Sequence, residues 1–177
     1  MQDLMDLYQR ASEWTGTKVK AAASRLDDRT PCDDWDVRTL LNHVLDTQQY
    51  FTETARGREA SPPGPTPPSL IGDDPVAAFD NARQATIDAF SEPGVIEKTG
   101  PSLGIAFSDV LLHGWDLAKA AGQDATMPDG LAKAAYDTIH GKFTDDQRKG
   151  LFKPEIKVAD GASPQEQLLA YTGRAPS

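Results

Sequence analysis

Apolar residues recur at steps of three and four along most of the chain, which is the period of an amphipathic helix. In the first such stretch the apolar stripe consists of Leu4, Leu7, Tyr8, Ala11 and Trp14. Four long segments share the pattern and cover about residues 3–26, 36–56, 74–90 and 103–121. Because a single helix cannot bury its own stripe, the pattern predicts an all-α fold, an antiparallel four-helix bundle.

Residues that start or stop a helix set the boundaries of these segments. Asp36 is the expected N-cap of the second helix, and Gly122 is expected just beyond the end of the fourth. The run "GREASPPGPTPPSLIGDDP" is too rich in proline for a helix and predicts a stiff surface connection. The two helices before it need partners, so we expect residues 1–177 to form one domain. The run "SEPGVIEKTGPS" predicts a loop before the fourth helix.

The rest of the chain predicts a short C-terminal extension that is partly helical and partly extended. The run "MPDGLAKAAYDTIHGKF" has the pattern of a shorter helix, and residues 155–158 predict an extended piece. The string "SPQE", which begins at Ser163, is a capping box and predicts a last helical turn or two.

The charge of the chain argues against several kinds of partner. Acidic residues outnumber basic ones by 27 to 18, and no block of Lys and Arg forms the basic patch that nucleic acid requires. No apolar run approaches the length of a membrane span, and the N-terminus is acidic where a signal peptide is basic. We therefore expect a cytoplasmic protein that binds neither nucleic acid nor membrane.

Cys32 is the single cysteine of the chain, which excludes an internal disulfide and a cysteine-rich zinc site. Two aspartates follow it directly, and their negative charge opposes formation of a thiolate. This context favours an incidental loop or buried residue over a catalytic thiol.

Candidate chemistry lies on the fourth predicted helix, in the run "FSDVLLHGWDLAKAAG". Asp109, His113 and Asp116 stand at i, i+4 and i+7, in the centre of the apolar stripe, where an unpaired carboxylate is costly to bury. His43 lies at the edge of the stripe of the second helix. One ion bound by His43, Asp109 and His113 would keep positions open for substrate, which is typical of a reactive metal site. A satisfied core histidine beside an ordinary Asp–His helix pair is the alternative.

The strings "TPCDDWDVRTLLNHV", "SDVLLHGWDLAKAAG" and "ASPQEQLLAYTGR" resemble the mycothiol-dependent maleylpyruvate isomerase-like proteins. These belong to the DinB-like superfamily of four-helix metal-binding proteins, which is common in actinobacteria. The resemblance covers nearly the whole chain and is strongest to the short single-domain branch of the family. It implies a DinB-like bundle.

The resemblance also implies a set of metal ligands. His43, Asp109 and His113 fall at the family's ligand positions for a divalent ion, zinc or alternatively nickel. The family has Glu where this chain has Asp109, which is shorter by one methylene. Asp116 would orient a ligand histidine, with direct ligation as the alternative. No role is implied for His140, for which a solvent-facing position is expected.

The implied chemistry is that of a transferase or isomerase in which the metal activates a low-molecular-weight thiol, mycothiol or a similar one, to attack an electrophilic substrate. Arg38, Arg83 or Lys119 could anchor a carboxylate, and the sequence does not choose among them. Proteins of this superfamily pair through helices, so a homodimer is expected. Two alternatives remain: a non-catalytic metal- or ligand-binding bundle that serves as an interaction protein, and a metal-dependent hydrolase with Asp116 as its base.

Overall fold

The computed structural model describes residues 3–176, and within them the chain forms helices and no β-strand. The helices are α1 (Leu4–Ala22), α2 (Val37–Ala55), α3 (Pro75–Ser91), α4 (Val95–Ala120), α5 (Leu131–Ile139), α6 (Asp145–Leu151) and α7 (Pro164–Tyr171). The four long helices pack into a bundle, and α5 packs against both α4 and α7. The predicted all-α four-helix bundle is confirmed. None of the described helices has the length and apolarity that crossing a membrane requires.

Aspartate side chains cap the first three helices. Asp3 accepts a hydrogen bond from the backbone N–H of Met5, Asp36 accepts one from Thr39, and Asp74 accepts one from Ala77. Each bond satisfies an amide that has no partner within its own helix. The predicted start of α2 is therefore correct, and α3 begins one residue after the predicted position.

Contacts along the helices fix their relative directions. Leu4 lies against Gly104 and Thr15 lies against Gly114, so α1 and α4 run parallel. Gly16 lies against Phe79, whereas Ser12 bonds to Arg83 four residues further along, so α1 and α3 are antiparallel.

The direction of α2 relative to α3 follows from hydrogen bonds at two points along these helices. Asn42, near the start of α2, accepts hydrogen bonds from the backbone just before α3, and Thr52 bonds to Thr86 further along both helices. These two helices therefore run parallel. The antiparallel arrangement holds for the α1–α3 and α2–α4 pairs, while the α1–α4 and α2–α3 pairs are parallel.

The proline-rich connection explains how α2 and α3 can be parallel. The chain has to return along the whole of α2, which is about 28 Å long at 1.5 Å per residue. In a polyproline conformation about ten residues cover that distance, and residues 56–74 exceed this number. The predicted stiff surface connection is thus the return path between two parallel helices.

Two helix boundaries differ from the predicted ones. The helix α1 was predicted to reach residue 26 but ends at Ala22, because Asp28 and Leu26 turn their carbonyls toward the N–H groups of Val37 and Arg38. The helix α4 begins at Val95 and not near residue 103, so most of the predicted loop is helical. Val95 packs against the core, and this burial outweighs the hydrogen bond that Pro101 cannot donate.

The C-terminal extension holds a helix that the sequence pattern did not predict. Thr144 and Gln147 form a capping box that starts α6, and the same motif at Ser163 and Glu166 starts α7 as predicted. The expected extended piece is not a strand: in this segment Ile156 donates its N–H to the carbonyl of Ala170.

Candidate metal centre

The helices α2 and α4 turn three side chains toward one point. His43, Asp109 and His113 each present a ligand atom, and these atoms lie within 4.8 Å of one another. Nε2 of His113 is 3.4 Å from Oδ1 of Asp109, and the rings of His43 and His113 meet edge to face with centroids 4.9 Å apart. The structure therefore brings together the three residues that the sequence singled out.

The chemistry of His43 fits a cation at this point. Its Nδ1 is buried without a hydrogen-bond partner, and its Nε2 has only a long contact of 3.4 Å to Oγ1 of Thr47. Burial, with the neighbouring charge of His113, lowers the pKa of His43 to about 4, so the ring is neutral at pH 7 and keeps a lone pair. Buried polar atoms usually have a partner, so the unpartnered Nδ1 makes His43 a candidate ligand.

Asp109 and His113 complement one another electrostatically. Burial acts to raise the pKa of Asp109, but His113 and His43 outweigh it and the pKa is lowered, so the carboxylate is ionised. Burial acts to lower the pKa of His113, but Asp109 and Asp116 outweigh it and hold the pKa well above 6.5. The Asp109 carboxylate stabilises a positive charge at this point, and a metal ion would replace the proton on His113.

Asp116 holds His113 from the side opposite Asp109. Oδ2 of Asp116 is 3.0 Å from Nδ1 of His113, which leaves Nε2 to face the candidate centre. Asp116 is completely buried. This geometry agrees with the orienting role expected for Asp116.

Arg174 neutralises the buried carboxylate of Asp116. Its Nε donates to Oδ1 at 2.9 Å and its Nη2 donates to Oδ2 at 2.8 Å, a two-pronged pairing. Burial acts to raise the pKa of Asp116, but Arg174 and His113 outweigh it and keep the pKa far below its usual range. Helical spacing in the sequence did not predict Arg174 as a residue of the site. The signal that could have indicated it is the burial of Asp116, because a buried carboxylate needs a cationic partner.

Cys32 lies beside this arrangement. Its Sγ donates to Oδ2 of Asp116 at 3.2 Å, so the half-buried loop residue borders the site. Cys32, Asp116 and His113 are also close enough to hold an ion. Both oxygens of Asp116 already face the guanidinium of Arg174, which would repel a second cation. The set that contains His43 is therefore the better metal centre.

The three converging side chains lie in a cleft of about 990 Å³. Its walls come from α2, α4 and α6, from the loop that carries Cys32, from the proline-rich connection and from the segment around Arg174. Of the three candidate carboxylate anchors, only Lys119 lines the cleft: Arg83 bonds to Ser12, and Arg38 pairs with Asp27.

His140 is exposed at the end of α5 and stacks on Tyr136.

Residues 9–118 match the family model described as the mycothiol maleylpyruvate isomerase N-terminal domain. The matched range contains His43, Asp109, His113 and Asp116 but not Arg174. Two proteins of Mycobacterium tuberculosis, one from strain CDC 1551 / Oshkosh and one from strain ATCC 25618 / H37Rv, are each 28% identical over 97% of this chain and 98% of their own length. Both are named as uncharacterized proteins. No solved structure matches the chain.

Proposed function

The chain belongs to the family of the mycothiol maleylpyruvate isomerase N-terminal domain, and on that premise we propose that it is a metal-dependent enzyme using a low-molecular-weight thiol. His43, Asp109 and His113 hold a divalent ion, zinc or nickel, and mycothiol or a similar thiol is the cosubstrate. The reaction is a transfer or an isomerisation at an electrophilic substrate. The observation that carries the proposal is that His43, Asp109 and His113 bring one ligand atom each within 4.8 Å of one another, while Nδ1 of His43 is buried without a hydrogen-bond partner.

The ligand set suits the proposed ion and its chemistry. Two imidazoles and one carboxylate are a common catalytic set for zinc, and they leave at least one position open. A divalent ion held there lowers the pKa of a coordinating thiol and supplies a thiolate nucleophile at neutral pH.

The side chains of this protein prepare the centre for that chemistry. Asp116 keeps the proton of a neutral His113 on Nδ1, so the lone pair of Nε2 points at the ion. Arg174 holds Asp116 in place through two hydrogen bonds. No catalytic cysteine is needed, because the cosubstrate brings the sulfur.

Two outcomes follow from attack on a conjugated cis double bond. A C–S bond forms as the double bond becomes single and the freed electron pair moves onto the conjugated acceptor. If the former double bond rotates and the sulfur leaves, the trans isomer and the free thiol result. If a proton adds to the adjacent carbon instead, the thiol stays attached and the reaction is a transfer.

Metal analysis tests the proposal. The purified protein, incubated with zinc and desalted, is expected to retain about one ion per chain, and His43→Ala and His113→Ala are expected to lose most of it. The matched control is His140→Ala, which removes an exposed histidine that does not line the cleft. Circular dichroism verifies that each variant is folded. Equal, near-zero zinc and nickel in the wild type and in His113→Ala would overturn the proposal.

Activity gives the second test. The zinc-loaded protein, a bacterial thiol and a panel of electrophiles are expected to show thiol-dependent turnover that stops on chelation and returns with added zinc. A metal-bound protein without turnover would instead support a non-catalytic bundle.

A further inference from the structure

The exposed apolar side chains of this protein are concentrated at the cleft. Within residues 3–176 the exposed large apolar residues are Ile105, Leu151 and Ile156, with 37%, 58% and 37% of their surface accessible. All three line the cleft, although they come from α4, from α6 and from the segment after α6. Isolated apolar residues are normal on a surface, but a cluster around a cavity marks a contact site.

Apolar groups continue from this rim to the candidate metal centre. Trp35, Tyr50, Leu112 and Trp115 line the inner cleft, and the ring of Trp35 lies 4.6 Å from that of His43. The indole N–H of Trp35 donates to the carbonyl of Pro65, so its polar edge is satisfied by the proline-rich connection. A ligand that reaches His43 from the rim therefore passes along an apolar wall.

The cationic side chains of the cleft are mostly engaged within the protein. Three lysine and arginine side chains line it: Arg174 is committed to Asp116, Lys153 lies 2.8 Å from Asp33, and the ammonium of Lys119 lies over the ring of Trp115 at 5.8 Å. Of these three, only Lys119 is not paired with a carboxylate of the cleft, so charged groups take up little of the wall that a ligand would meet.

From these observations we infer that the electrophilic substrate has an extended apolar body. The inference builds on the proposed function, since it names the substrate class for that site. The apolar body lies along Trp35, Leu112 and Trp115 toward the rim, and the electrophilic end reaches the His43–His113 pair. The volume is compatible with this assignment, because about 990 Å³ is at the upper end for small-molecule sites and leaves room for such a body beside the thiol cosubstrate.

Ligand binding tests the inference without turnover. Primary alkanamides from butanamide to decanamide are titrated into the zinc-loaded protein and, separately, into the metal-free His113→Ala variant, with calorimetry as the readout. Affinity is expected to rise about three- to fourfold per methylene in both proteins, because each methylene leaves water for an apolar wall. Affinity that does not change with chain length overturns the inference.

A pair of variants locates the binding surface. Leu151→Asp adds a negative charge at the rim, 58% exposed and away from the ligand residues, and is expected to weaken octanamide binding about tenfold or more. Ala77→Asp adds the same charge on the exposed side of α3, outside the cleft, and is expected to leave binding unchanged. Equal octanamide affinity in the two variants overturns the inference.

Metal content separates this inference from the proposed function. Both variants are expected to keep the zinc content of the wild type. If no protein in the set binds zinc but alkanamide affinity still rises with chain length and falls in Leu151→Asp, the proposed function fails while the apolar site is supported.

Discussion

Replacing Arg174 by glutamine is expected to destabilise the fold strongly, although Arg174 lies outside the four-helix bundle. Arg174 donates two hydrogen bonds to Asp116, whose side chain is 0% exposed, and the side chain of Arg174 is only 15% exposed. Removing one partner of a buried ion pair leaves an uncompensated charge, which costs about 3–5 kcal/mol in the free energy of unfolding. For a chain of this size that corresponds to a fall of roughly 6–20 °C in Tm.

The chain offers a matched control for this experiment. Arg25 pairs with Asp28 at 2.6 Å, but both side chains are more than 40% exposed, so Arg25→Gln is expected to cost less than about 1 kcal/mol. Urea unfolding followed by circular dichroism measures both variants. If Arg174→Gln lowers the free energy of unfolding no more than Arg25→Gln does, the buried pair does not have the stabilising role assigned to it.

A second readout separates the effect on stability from the effect on the metal centre. Asp116 orients His113, so loosening Asp116 is expected to weaken zinc binding about 10- to 100-fold in Arg174→Gln. Arg25→Gln is expected to bind zinc as the wild type does. If a folded Arg174→Gln variant binds zinc as tightly as the wild type, then Arg174 does not act on His113 through Asp116, and this part of the reasoning is wrong.

Three further perturbations test other parts of the structure. Asp109→Asn removes the charge of a proposed ligand and is expected to lower zinc affinity at least tenfold in a competition titration; unaltered affinity would exclude Asp109 as a ligand. Gly114→Ala places a methyl group 2.8 Å from the Trp14 ring and against Thr15, and is expected to cost about 1–3 kcal/mol by urea unfolding; Gly150→Ala in α6 meets nothing within 4 Å and is expected to be neutral or stabilising. Burial raises the pKa of Tyr8 to about 12, so above about pH 10 the unfolded chain loses this proton first and stability falls as pH rises toward 12. Tyr8→Phe is expected to flatten that alkaline slope, and an identical slope in both proteins would contradict it.

The bundle was largely predictable because its signals are local. A helical stripe such as Leu4, Leu7 and Tyr8 has to be buried, and caps such as Asp36 mark where a helix begins. The extent of α4 was not predictable in the same way. Pro101 and Gly100 are strong local signals of a loop, and only the tertiary packing of Val95 and Ile96 overrides them.

The residues of the candidate site were likewise predictable only where the sequence signal was local. Asp109, His113 and Asp116 share one helix, so their spacing alone placed them on one face. Arg174 lies 58 residues beyond Asp116, and no periodicity connects two residues at such a distance. The capping box at Thr144 and Gln147 was present in the sequence, and it would have revealed α6 and the part of the rim that α6 carries.

The floor and the outer wall of the cleft are built from different kinds of backbone segment. The floor, with the candidate metal centre, stands on α2 and α4, where any shift of backbone disturbs a packed core, whereas much of the outer wall comes from connections such as residues 62–65 and from the short helix α6. Evolution, or a protein engineer, can therefore exchange the outer wall while the floor stays intact. The molecules that such a cleft accepts can change in this way without disturbing His43, Asp109 and His113.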